Sequence, residues 1–122
     1  MIRNVVWFGA FCLLSSCSIS TGGARNDATL ICRNTVKEIF ESLDKDSLET
    51  LQSVEEEADL VLFHHGWGTG IRNEYGLWTA DSPVRKSCAA MVGEADIHPD
   101  GASSIIMQAV WELAQELTVE DG

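Results

Sequence analysis

The chain has 122 residues, 45% of them hydrophobic and 22% charged, with a formal net charge of −11. That length and balance suit one small hydrophobic core and exclude a disordered, fibrous or multidomain chain. The negative field opposes unaided binding to nucleic acid or to an anionic lipid surface; it would attract a basic protein, although surface acid also serves solubility alone.

Residues 1–16 read as an export signal. Arg3 supplies the positive start, and Val5 to Leu14 form an apolar run about half as long as the roughly 20 residues a spanning helix needs. The run ends in Leu14-Ser15-Ser16-Cys17, which resembles the lipobox of bacterial lipoproteins, with Cys17 acylated and becoming the mature N-terminus. Acyl chains would then anchor the chain in the membrane, and Ser18 after the cysteine is similar to lipoproteins sent on to the outer membrane, facing the periplasm. The alternative is ordinary signal cleavage at Gly22 to Ala24, which lies far beyond the apolar run. The exported part carries seven Lys or Arg against nineteen Asp or Glu, a net charge of −12. Residues 18–27, polar and glycine-bearing, read as a flexible tether to a single domain over residues 28–117.

Of the four cysteines, Cys12 falls in the signal and Cys17 in the lipobox, leaving Cys32 and Cys88. Export favours their pairing, which would close a loop of about 57 residues and stabilise the fold by about 4 kcal/mol. Two buried free thiols are the alternative.

Asp27 is placed to cap a helix starting near Ala28, whose Cys32, Val36, Ile39, Phe40 and Leu43 share one face. Asp46 and Glu49 have the spacing of a capping box for a second helix through Leu48, Leu51 and Val54. Glu55 to Glu57 then form a solvated first turn, with Ala58, Val61, Leu62 and His65 expected on one core-facing stripe. Thr79 to Pro83 reads as a loop, followed by a short apolar segment around Cys88, Ala89, Met91 and Val92 that Gly93 ends. Asp100 is expected to cap the longest helix, whose Ala102, Ile105, Ile106, Ala109, Val110, Leu113 and Leu117 recur at helical spacing. Residues 118–122 read as a frayed acidic tail. The fold class expected is all-α or mainly α: a single-domain bundle of four to five helices around an irregular central segment.

That segment, His64 to Trp78, packs glycines, aromatics, two histidines and the Arg72-Asn73 pair together without simple periodicity. Its residues His64, Gly68, Ile71, Arg72, Asn73, Gly76, Leu77 and Trp78, with the later His98, Pro99, Asp100, Ser103 and Ile106, match a pattern in order. From Ala58 to about Leu113 the chain thereby resembles a bacterial family, domain of unknown function 6794. Tyr75 stands where that family tends to have Trp, Glu74 where it tends to have Asn, and Gly101-Ala102 where it tends to have Asp-Met. The resemblance implies a shared fold and brings no activity.

The candidate binding residues are His64, Trp67, Arg72, Asn73, Tyr75, Trp78, His98 and Asp100. A guanidinium among aromatics suits recognition of a carboxylate or phosphate. The competing structural reading, favoured here, pairs Arg72 with Asp100 so that the central segment is locked onto the start of the last helix. His64 and His65, adjacent on a helix, point about 100° apart and do not chelate by themselves; His65 shares the apolar stripe and reads as a core-edge residue. His64, His98 and Asp100 would make a metal site only if their segments met, and no metal or cofactor is expected. No nucleophile elbow, phosphate loop or dinucleotide fingerprint is present. The expectation is therefore a non-enzymatic, envelope-anchored binding module, inhibitor- or immunity-like toward a basic protein. The alternative is a small metal-dependent or hydrolytic enzyme using His64, Arg72, His98 and Asp100.

Overall fold

The structure, a computed structural model, describes residues 28–121, with side chains described through Thr118. The export signal, Cys12, the lipobox Cys17, the tether and the Asp27 cap lie outside the described residues. Helix α1 occupies residues 28–42, and α2 spans Lys45–Gln52. A continuous helical run follows, as a 3₁₀ helix over Glu57–Phe63, a π turn over His64–Gly68 and α3 over Thr69–Glu74. Helix α4 spans Pro83–Met91 and α5 Pro99–Asp121, and no strand occurs among the described residues. The domain is all-α.

Helix α5 is the spine. Ala102, Ile106, Val110 and Ala114 repeat every fourth residue and are fully buried, with Met107 beside them, against α2, α3, α4 and the 3₁₀ and π turns. Burying Ile106 and Val110 contributes about 1.5–3 kcal/mol each, more than helix propensity can over the same positions. The α1 stripe of Cys32, Val36 and Ile39 completes the core. A disulfide between Cys32 and Cys88 joins α1 to α4 across 56 residues of sequence. Beside it Ser87 inserts its hydroxyl into the α1 ladder, accepting from the Cys32 N–H and donating to the Ala28 carbonyl, both at 2.9 Å.

Helix ends explain most of the connections. Asp44, not Asp46, caps α2: its Oδ1 accepts the Ser47 N–H at 2.7 Å, a bond that also lowers the Asp44 pKa. The cap needs an acceptor facing the third helical amide, and Asp44 is the residue that retains extended backbone there, with φ −80 and ψ 173. At the other end, Val54 lies past the helix, and carbonyls in the last turn and just beyond it are met by α5: Gln115 Nε2 donates to Leu51 O at 3.1 Å and Trp111 Nε1 to Val54 O at 2.9 Å.

The expected core stripe of Ala58, Val61, Leu62 and His65 is exposed, Val61 by 68% and Leu62 by 78%. The tighter 3₁₀ turn changes the period from 3.6 to 3, so Leu60 is buried and Phe63, three residues on, is half-buried. His65 is accordingly a surface residue rather than a core-edge one. Asp100 also does not cap α5. His98 does, its Nδ1 accepting the Asp100 N–H at 3.0 Å while Pro99 takes the first helical position, where its missing N–H costs nothing. Residues 118–121, expected to fray, continue the α5 backbone to Asp121. Helix α4 starts at Pro83 behind Ser82, whose Oγ accepts the Arg85 N–H at 3.1 Å.

Candidate functional site

Two left-handed glycines end helices around the site, one of them inside the central segment. Gly93, at φ +78, closes α4 as expected, with Glu94 N–H donating to Ala89 O and Gly93 N–H to Ala90 O. Gly76, at φ +62, closes α3 in the same way, with Leu77 N–H donating to Arg72 O at 3.0 Å. That turn sends Leu77 back into the core with no exposure, and leaves Trp78, next in sequence, 58% exposed. The Gly76-Leu77-Trp78 part of the motif is therefore a helix stop followed by a core anchor.

Arg72 on α3 points the other way, under the start of α5, and is 5% exposed. Its Nη1 donates to Ser103 Oγ at 2.9 Å, and its Nη2 to Thr69 Oγ1 at 2.8 Å and to the His64 carbonyl at 3.4 Å. Nε lies 3.4 Å from Asp100 Oδ1, within ion-pair range but without hydrogen-bond alignment, and is the one buried side-chain donor among the described residues so left. Ser103 passes its own proton to Asp100 O at 3.0 Å. Glycine at residue 68 leaves the guanidinium room: a Cβ there would stand a tight 3.1 Å from Arg72 Nη1 and 3.3 Å from Met107 Sδ, and both would have to give by a few tenths of an ångström.

Above this buried layer sits a histidine and carboxylate rim. His64 Nε2 and His98 Nδ1 are each 3.8 Å from Asp100 Oδ2, and Trp78 stands edge-on to His98 with ring centroids 6.0 Å apart. His64, Arg72, Trp78, His98 and Asp100 are thus brought together as the motif order implies. Ser103 is fully buried with both its proton and a lone pair engaged, which leaves it no route to act as a nucleophile. His98 Nδ1 is occupied by the Asp100 N–H, and no group of three His, Cys, Asp or Glu among the described residues has metal-holding geometry.

The remaining motif residues lie elsewhere. Trp67 and Tyr75 face α1 and α2, where they line two open grooves of about 300 and 270 Å³ that share Leu43 and Trp67. Tyr75 donates its hydroxyl to Glu38 Oε1 at 3.1 Å; burial first, and then this carboxylate, push its pKa up to about 12. Asn73 is exposed beside Arg72.

One organising residue carries no sequence signal. Arg85, 6% exposed on α4, forks onto Asp96 with Nε to Oδ1 at 2.7 Å and Nη2 to Oδ2 at 3.0 Å. It also donates to the carbonyls of Leu77, Thr79 and Ala80, so all its donors are used to tie the chain after Trp78 to the approach to α5. The Arg85 bond holds the Asp96 carboxyl down at about 2. Nothing separates Arg85 in sequence from its exposed neighbour Lys86.

These features define a disulfide-linked all-α domain whose shared polar motif builds a junction between α3 and α5. Residues 32–113 match the family described as Domain of unknown function (DUF6794), and the chain belongs to that family. No curated protein and no solved structure matches it.

Proposed function

We propose that this protein is an envelope-anchored, non-enzymatic interaction module, held by acylation of Cys17 and directed at a basic protein. The observation that carries the non-enzymatic part is the use of Arg72: a buried guanidinium whose bonds go to Ser103, Thr69 and the His64 backbone serves the fold, and leaves the rim of His64, His98 and Asp100 without a nucleophile. Of His64, Arg72, His98 and Asp100, His64 alone lines one of the three grooves described, the smallest at about 190 Å³. The exported part's net charge of −12 supports a basic partner, since opposite charge raises encounter rates and suppresses wrong partners.

Two experiments test the reading. Palmitate labelling and membrane fractionation should both be lost in Cys17→Ala; unchanged fractionation of that variant overturns the anchor. Crosslinking of the acylated protein in envelope extract should recover a basic protein whose capture falls as salt rises from low to physiological strength, because the screening length shortens from about 30 Å at about 0.01 M to about 8 Å at about 0.15 M. Recovery of no salt-sensitive partner overturns the interaction module.

A further inference from the structure

The paired grooves between α1, α2 and the π turn combine concavity, aromatic walls and one sign of charge. Trp67 and Leu43 belong to both; Phe63 and Leu51 floor one, Ile71 and Tyr75 the other. The rim carries Asp46, Glu38 and Glu74, and no Lys or Arg lines either groove. The same bias runs along the chain, since residues 46–71 contain six acidic residues and no Lys or Arg.

Resting on the interaction-module reading above, we infer that this double groove is the docking site for a basic segment of a partner protein with alternating apolar side chains. The apolar side chains enter over Phe63 and Leu51, and the aliphatic stem of a Lys or Arg lies along Trp67 with its charge against Glu38, Asp46 and Glu74. Volumes near 300 Å³ sit at the lower edge of small-molecule pockets, about 300–1,000 Å³, and suit individual side chains better than a whole metabolite. An indole face beside carboxylates suits a cation that brings hydrocarbon with it, because cation–π attraction and stem burial act together. A second copy of this acidic chain or an anionic membrane would meet like charge at the same rim. Exposed Val61 and Leu62, the first of which lines a smaller groove of about 190 Å³, supply an apolar comparison surface.

The test uses the full-length acylated protein in neutral detergent and three fluorescein-labelled pentapeptides. One alternates lysine with leucine, one lysine with serine and one glutamate with leucine, with partition into protein-free micelles subtracted. The lysine–leucine peptide should raise anisotropy on binding, the lysine–serine peptide should bind about tenfold more weakly, and the glutamate–leucine peptide should not bind. In Glu38→Lys/Glu74→Lys the lysine–leucine affinity should fall about tenfold or more. Glu94→Lys/Glu112→Lys makes the same change in net charge at exposed positions outside the grooves and should leave most of the affinity. An equal fall in both charge variants, a fall confined to Val61→Ser/Leu62→Ser, or no binding of the lysine–leucine peptide overturns the groove. Envelope crosslinking to a basic partner that survives Glu38→Lys/Glu74→Lys also overturns it while leaving the interaction module standing.

Discussion

Replacing Arg72 by Met removes the guanidinium and keeps most of its buried stem. Two well-made bonds disappear, to Ser103 Oγ at 2.9 Å and to Thr69 Oγ1 at 2.8 Å, and hydrogen bonds from charged donors contribute about 1.5–3 kcal/mol each. The gross loss is offset in part, because Met also relieves the desolvation of a buried cation and the unaligned Nε. The stranded carboxylate of Asp100 is 47% exposed and keeps water, so the penalty stays below the 3–5 kcal/mol of a fully buried pair broken on one side. The expected net loss is about 2–3 kcal/mol, which for a domain of this size corresponds to about 10–20 °C in Tm. Asp100→Asn, which leaves the Ser103 and Thr69 bonds in place, should cost about 0.5–1 kcal/mol. Arg72→Lys should recover less than half of the Met loss, since an ammonium cannot reach Ser103 and Thr69 as a fork. Urea denaturation of the unreduced protein, followed by far-UV circular dichroism, measures all three. Arg72→Met within about 0.5 kcal/mol of the parent would refute the structural role and return Arg72 to ligand recognition, where its removal costs the free protein little.

Gly76→Ala should cost about 1–2 kcal/mol, because a Cβ at φ +62 is strained even though its nearest neighbour, Thr79 Oγ1, lies at an ordinary 3.4 Å; thermal melts check it. Below about pH 4 the protein should lose stability progressively towards about pH 2. The Asp96 carboxyl, held near 2 when folded against 3.8 when free, contributes its share above that window and loses it as the folded form is protonated. Asp96→Asn should flatten this part of the pH profile in equilibrium unfolding. Tyr75 is the single tyrosine, so phenolate absorbance reports it alone; its half-ionisation should come near pH 12 in the folded protein, and Glu38→Gln should bring it closer to 10. Reduction of the Cys32–Cys88 bridge should lower stability by about 4 kcal/mol, seen as a lower urea midpoint in the presence of reductant.

Helical periodicity made α1 and α5 legible. Cys32, Val36 and Ile39, and then Ala102, Ile106 and Val110, recur where one face meets a core, and those faces are buried. Cys32 and Cys88 are bridged, as their expected pairing requires. Periodicity misled where the chain leaves the α-helix. Ala58, Val61, Leu62 and His65 form a good stripe at 3.6 residues per turn, but a 3₁₀ helix repeats every 3, and the same sequence then buries Leu60 and turns Val61 and Leu62 outward. Caps were misplaced for a related reason. Asp44 or Asp46, and His98 or Asp100, each offer an acceptor near a helix start, and backbone geometry rather than residue type decides which one receives the amide.

The site divides along the same physical line. The Arg72–Asp100 proximity could be anticipated because the sequence offers a buried-type cation among glycines and one acid at the start of the longest helix. The acceptors that hold the guanidinium could not, since Ser103, Thr69 and the His64 carbonyl become its partners only once the π turn widens the backbone and Gly68 clears the space. Arg85 and Asp96 were invisible for the same reason: three of Arg85's partners are backbone carbonyls, which every sequence has everywhere. The motif's side chains also divide between two sides: Arg72 lies under α5, where its polarity is used up, and Trp67 and Tyr75 face α1 and α2, where they line the grooves. A wide turn costs hydrogen-bond geometry relative to continuous α-helix, and that cost is offset here by the Arg72 bonds on one side. The exposed aromatic groove is what the same turn leaves on the other.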